Sequence, residues 1–188
     1  MNTKQRLFSG YHFPMDVYWD NYNNGGFTQL SLDLSSRCNY KCDWCFNKHL
    51  INKQVDSLRL KEKEEILIEA VELGAKTLVF PGAGEPTLDP DFYPLVEIAH
   101  NLGLITVVYT NLTGNIDTEK INLLRDKNVS IGIKLDSLNP EYFIRRYHVG
   151  RPTFDKFFKN FKAVIESYKT TKIETVDHEI HRVIATWF

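Results

Sequence analysis

Cys38, Cys42 and Cys45 are the only cysteines of the chain, and they follow one another as C-x-x-x-C-x-x-C. An odd, tightly bunched set does not describe a disulfide scaffold, which needs paired and more widely spread cysteines. Thiolates are soft ligands suited to iron–sulfur clusters or to zinc. A four-iron cubane normally takes four thiolates. Three can hold three of the irons and leave the fourth open to bind a substrate directly, as an open position on a catalytic metal does. The competing reading is a structural zinc site of three cysteines and one histidine, with His49 as the fourth ligand.

Further polar elements recur along the chain. Pro81-Gly82-Ala83-Gly84-Glu85-Pro86 combines glycines, which let backbone approach a ligand closely, with a carboxylate that can accept from a cationic amine. Thr110 and Asn111 follow an apolar run, and Lys134 and Asp136 follow another. Lys134 can meet a ligand carboxylate, or it can form an ion pair with Asp136 at the mouth of a sheet. Arg145 and Arg146 read equally as site residues or as a solvated helix face. His178, Glu179 and His181 resemble metal ligands in type, but read as decoration of a polar face.

These residues sit between alternating elements. Strands are predicted at 28–34, 76–80, 104–109 and 129–135, with 172–176 as a fifth candidate. Helices are predicted at 61–73, where Gly74 stops the run, at 91–102, with Pro94 tolerated in the first turn, and at 118–126. Asn139 followed by Pro140 starts another helix. Thr153 is expected to cap a last one, with Phe154, Phe157, Phe158, Phe161, Val164 and Ile165 inward. Strands alternating with helices specify parallel β/α units, whose chemistry lies where strands end and helices begin. Residues 1–27 form an aromatic-rich lead-in (Phe8, Tyr11, Phe13, Tyr18, Trp19, Tyr22) ending at Asn23-Asn24-Gly25-Gly26, a turn signal. Its aromatics are expected to pack over one end of a core domain spanning 28–188, with substrate contact as the alternative.

The bulk numbers fit this picture. The 188 residues are 43% hydrophobic and 25% charged, as in a globular domain with a real core. Lys and Arg total 23 against 24 Asp and Glu. That balance gives no support for a nucleic-acid or acidic-membrane partner. No apolar run approaches the roughly 18–20 residues of a membrane span, and the first residues lack the apolar stretch of a signal peptide, so a cytoplasmic location is expected.

The cysteine spacing just after the first predicted strand resembles the signature of the radical SAM superfamily. The resemblance implies a 4Fe–4S cluster held by Cys38, Cys42 and Cys45, with S-adenosylmethionine chelated by the open iron and cleaved by one electron to a 5′-deoxyadenosyl radical. Trp44 matches the family aromatic that lies against adenine. Ala83-Gly84-Glu85 stands where the family carries Gly-Gly-Glu for the methionine amino group. Thr110-Asn111 is similar to a Thr-Asn-Gly element near ribose and carboxylate, with Leu112 in place of the glycine. Lys134-Leu135-Asp136 resembles Ser-Leu-Asp, with Lys134 where serine is common. The Arg145, Arg146, Gly150 and Thr153-Phe154 elements resemble the molybdenum-cofactor and peptide-modifying branches. The implied fold is α/β, a partial (β/α) barrel with about four to five of the family's six units. The implied partners are a flavodoxin- or ferredoxin-type reductant, a small-molecule or peptide substrate, and a chain completing the barrel. No cysteine is left over for an auxiliary cluster. A glycyl-radical-enzyme activase, a non-catalytic zinc module and an inactive fragment are the alternatives.

Overall fold

The computed structural model describes residues 6–53, 58–169, 173–175, 178–181 and 183–186. Its centre is a parallel five-stranded sheet ordered β2-β3-β4-β5-β8, formed by Gln29–Ser31, Thr77–Phe80, Ile105–Thr110, Val129–Lys134 and Val183–Thr186. A second sheet joins β1 (Arg6–Phe8), β7 (His178–His181) and β6 (Ile173–Thr175) in the order β1-β7-β6. Six helices accompany the strands: α1 (Met15–Asn23), α2 (Leu60–Glu72), α3 (Phe92–Asn101), α4 (Thr118–Asp126), α5 (Pro140–Tyr147) and α6 (Arg151–Tyr168). The architecture is a partial (β/α) barrel.

Local sequence explains the helix ends. The Asp117 side chain accepts from the Lys120 N–H at 3.0 Å, and Asn139 accepts from Tyr142 N at 2.9 Å with Pro140 behind it. The last helix begins earlier than the Thr153 cap predicts. Gly150 is its N-cap, and Pro152 occupies the first turn, where its missing N–H costs nothing. Its buried stripe is Phe154, Phe157 and Val164; Phe158 and Phe161 stack half-buried on Phe154 and Phe157, whereas Ile165 falls off the stripe and is exposed.

The fifth-strand expectation is also corrected. Ile173–Thr175 forms a strand, but it pairs antiparallel with β7 in the second sheet, and Val183–Thr186 is the strand that pairs with β5. Thr175 lies opposite His178 across a two-residue connection, which can make a hairpin but not the crossover that a parallel neighbour requires.

The register assigns each strand residue to a face, because paired residues share one side of the sheet. Leu78, Phe80, Val108, Val129, Ile131 and Ile133 face the helices and form the core with Leu67, Phe92, Leu95, Phe143 and Phe157. Thr77, Val79, Ile105, Val107, Tyr109, Ser130, Gly132 and Lys134 face the concave side. The lead-in reaches this side. Thr77 Oγ1 donates to the Gly10 carbonyl at 2.8 Å, and Tyr11 meets Tyr109 edge-on at 6.5 Å. Helix α1 buries no residue of its own and is moored by Asn21, whose Nδ2 donates to Gly74 O and Thr28 Oγ1. Trp19 and Tyr22 therefore stay exposed, unlike Tyr11.

Candidate functional site

All four sequence-predicted polar elements meet at the carboxyl ends of β2, β3, β4 and β5. The cysteine loop leaves β2 and is pinned from several sides. Asn52, at φ 58°, accepts from Cys38 N and donates to Cys38 O, both at 3.0 Å, acting as a backbone-like partner for the first cysteine. Asn47 Nδ2 donates to Ala83 O at 3.0 Å. Gly84 lies so close to the loop that a Cβ would stand 2.2 Å from Arg37 O, and the adjacent Glu85 N–H donates to that carbonyl at 2.7 Å. That approach is the physical reason for a glycine at position 84.

Glu85 is buried, and both carboxylate oxygens are engaged. Oε1 accepts from Thr110 Oγ1 and Thr87 Oγ1, each at 2.6 Å, and from Thr87 N at 3.2 Å; Oε2 accepts from Asn111 N at 2.8 Å. Burial pushes its carboxyl above the ordinary carboxylate range, an effect the donors from Asn111, Thr110 and Thr87 only partly offset. Its side chain thus buckles the β3 tip to the β4 tip. Beyond it, Asn111 Nδ2 donates to Asn39 Oδ1 at 2.9 Å, Asn39 Nδ2 donates to Thr113 Oγ1 at 2.9 Å, and Thr113 Oγ1 donates to Asn111 Oδ1 at 2.8 Å. This closed ring ties the cysteine loop to β4. Leu112, which stands where the family's glycine is common, takes a left-handed φ of 59° while fully buried.

The opposite flank of the loop rests on α5. Tyr147 packs against Tyr40 and Trp44 at 5.1 and 5.4 Å, and its carbonyl accepts from Lys41 N. The Arg146 guanidinium lies 3.5 Å from the Trp44 ring centre and pairs with Asp136 Oδ2 at 3.4 Å. His148 Nε2 meets Asp43 Oδ1 at 2.8 Å. Arg146 is thereby a member of the site rather than of a solvated helix face, while Arg145 lies over the exposed Tyr142 ring at 5.9 Å. Asn39, Asn52, Thr113, Tyr147 and His148 gave no local sequence signal, since each acts through contacts distant along the chain.

The three thiols are half-buried. Desolvation pushes the Cys38 thiol up to about 11 and the Cys42 thiol up to about 12; negative charge on neighbouring cysteines adds to both, and Lys134 partly offsets the shift at Cys42. Lys134 is therefore close enough to act on the loop. Among the described residues no three His, Cys, Asp or Glu side chains are gathered to hold a single metal ion. His49 is exposed and does not complete a zinc set with the cysteines. The side chains of His178, Glu179 and His181 lie outside the described residues.

Thiol loop, glycine turn and strand-tip polar groups on a parallel partial barrel define a cofactor-binding β/α enzyme fold. The chain belongs to the radical SAM superfamily, whose sequence model matches residues 32–179. It is 29% identical over 166 residues to GTP 3′,8-cyclase of Shewanella denitrificans, covering 86% of this chain and 48% of that protein. It is 35% identical over 81 residues to PqqA peptide cyclase of Bradyrhizobium diazoefficiens, covering 43% of this chain and 20% of that protein. Among solved structures, Streptococcus suis SuiB bound to S-adenosylmethionine superposes with a TM-score of 0.57 at 22% identity, over 80% of this chain and 34% of that one. BtrN in complex with AdoMet and 2-DOIA gives 0.52 at 14% identity, over 85% and 56%. The chain spans about half the length of the cyclases it matches.

Membership makes this an enzyme family chain whose cofactors are a 4Fe–4S cluster and S-adenosylmethionine. The residues fit that pair. Three free cysteines on one loop are soft donors of the kind that hold three irons of a cubane. No helix among the described residues is long and apolar enough to cross a membrane.

Proposed function

We propose that this chain binds a 4Fe–4S cluster through Cys38, Cys42 and Cys45 and S-adenosylmethionine beside it, and directs radical hydrogen abstraction at an organic or peptide substrate. When bound, the cluster supplies one electron to S-adenosylmethionine, whose sulfur–carbon bond breaks to give methionine and a 5′-deoxyadenosyl radical. The protein's part is to hold, orient and exclude water. Asn52 and Asn47 hold the ligand loop. Ala83, Gly84 and Glu85 hold the amino group, Glu85 by fixing the turn through its buried carboxylate. Trp44, steadied by Arg146 and Tyr147, offers a flat apolar face for adenine. Thr110, Asn111 and Asp136 serve ribose and carboxylate, and Lys134 adds positive charge on the concave side.

The observation that supports this reading is the convergence of four consecutive strand tips: Glu85 and the Asn39–Asn111–Thr113 ring join those of β2, β3 and β4, and Asp136, after β5, reaches the cysteine loop through Arg146 and Trp44. An external one-electron reductant and a substrate are the partners it requires. The substrates named for the relatives, GTP and peptides, are both compatible with a concave face bearing Lys134 and Tyr109.

The test is low-temperature electron paramagnetic resonance on anaerobically reconstituted, dithionite-reduced protein. A reduced 4Fe–4S signal that shifts on adding S-adenosylmethionine is expected. A cluster signal that ignores S-adenosylmethionine, or stoichiometric zinc in place of iron, overturns the proposal.

A further inference from the structure

The concave face has a floor assembled from distant stretches of the chain. Tyr109 of β4 stands opposite Gly132 of β5. A Cβ at Gly132 would lie 2.4 Å from Tyr109 Cδ1 and 2.5 Å from Cε1, so the ring is laid across β5 in space that only a glycine leaves. The backbone at Gly132 is not left-handed, and the ring is what requires the missing side chain. From the other side Tyr11 of the lead-in meets Tyr109 edge-on, with ring centres 6.5 Å apart. The Tyr11 hydroxyl is hydrogen-bonded to the side chains of Tyr109 and Gln29; burial, helped by the bond to Tyr109, pushes this phenol well above its ordinary range.

Exposure changes at this level of the sheet. On the concave side Thr77, Val79, Val107 and Ser130, nearer the amino ends of the strands, are buried, whereas Tyr11, Tyr109 and Lys134 are half-buried. A molecule entering from the strand tips therefore meets the Tyr109 ring as the bottom of the face. The ring is also close beneath the cofactor residues. Tyr109 directly precedes Thr110 and Asn111, and Lys134 lies two residues beyond Gly132 on the same face. At about 3.3 Å per strand residue, these groups stand only one or two residue steps above the ring.

We infer that Tyr109 is a substrate-facing residue: its ring, seated on Gly132 and propped by Tyr11, is the surface on which the reacting part of the substrate rests beneath S-adenosylmethionine, and the absent side chain at position 132 sets the depth available. The inference rests on the cofactor reading above. Tyr11 acts through Tyr109, which makes it a positioning residue and gives the lead-in a place in the site.

The experiment uses the cluster-loaded chain produced with side-chain-deuterated tyrosine, reduced with dithionite and given S-adenosylmethionine with no substrate. A radical generated above Tyr109 takes a deuterium atom from that side chain; the deuterium stays on 5′-deoxyadenosine and the unpaired electron stays on the tyrosine. Deuterated 5′-deoxyadenosine is expected from wild type, and the label is expected to be lost in Tyr109→Phe, where position 109 carries no deuterium. Fluorine NMR of the chain carrying 3-fluorotyrosine reads the same ring without turnover. The line missing from Tyr109→Phe is expected to shift when S-adenosylmethionine is added to the oxidised, cluster-loaded protein. Gly132→Ala and Tyr11→Phe are expected to shift that line before any cofactor is added, as the ring leaves its seat or loses its prop. Unlabelled 5′-deoxyadenosine from wild type, label that survives in Tyr109→Phe, or a Tyr109 line indifferent to S-adenosylmethionine or to Gly132→Ala overturns the inference. Formation of no 5′-deoxyadenosine at all, with no cluster signal, strikes the proposed function instead.

Discussion

Glu85 shows how much one side chain settles. A carboxylate only accepts hydrogen bonds, and here four donor contacts from Thr87, Thr110 and Asn111 converge on its two oxygens. Gln is nearly isosteric, but its NH2 must face either the Asn111 N–H or the threonine donors. Glu85→Gln is therefore expected to cost about 1–3 kcal/mol, the penalty of a buried donor left unmet, read as a lowered urea midpoint with unchanged slope. Glu85 was singled out in the sequence by its place, a carboxylate after Ala83-Gly84 at the next strand tip beyond the cysteine loop, and by the resemblance to the family's Gly-Gly-Glu. Its work as a buckle was not legible, since Thr110 lies 25 residues away. The same holds for Asn39, whose partner Asn111 is 72 residues distant, and for His148, 105 residues from Asp43. Spacing identifies ligands that share a loop, and it is silent on contacts made by topology.

Among the elements, α2 and α3 are clasped by Lys63 and Asp91 at 2.7 Å, with the lysine side chain 3% exposed and the aspartate 24%. Removing the aspartate's charge strands a buried ammonium, whereas removing the lysine leaves a carboxylate that still reaches water. Asp91→Asn is expected to destabilise by about 3 kcal/mol, and Lys63→Met by distinctly less, both from chemical unfolding. Comparable losses would show that the pair is not asymmetric. Helices α2, α3 and α4 were legible to within a residue or so because apolar periodicity marks them locally and Gly74 stops the first. The start of α6 was not, because Thr153 is a good cap by type while Gly150 with Pro152 sets the true boundary. Lys63 was not singled out either: a lysine on a helix reads as solvent-facing until a distant aspartate buries it.

For the molecule as a whole, the parallel sheet sorts its residues into a helix-covered apolar face and a concave face. Alternation of strands and helices made that architecture legible, whereas the strand taking the place beside β5 was not, because the four residues of Val183–Thr186 are too few to show a period. The lead-in closes on the concave face through Gly10, at φ +94°, where a Cβ would meet Val107 at 2.8 Å and Ile105 at 3.1 Å. Gly10→Ala is expected to cost about 1–3 kcal/mol from the backbone conformation alone, with added crowding, measured by thermal unfolding. A wild-type midpoint would mean that the segment can lift off without loss.

That attachment also fixes an order of events during synthesis. Gly10 and Tyr11 leave the ribosome before β3 and β4, yet the groups they meet on Thr77 and Tyr109 are in place only once those strands have been made and paired. Closing a contact across 67 residues carries an entropic toll that neighbouring β/α units do not face. Gly10 and Tyr11 thus dock after the strands they cover, and until they do, Thr77 and Tyr109 stay open to water.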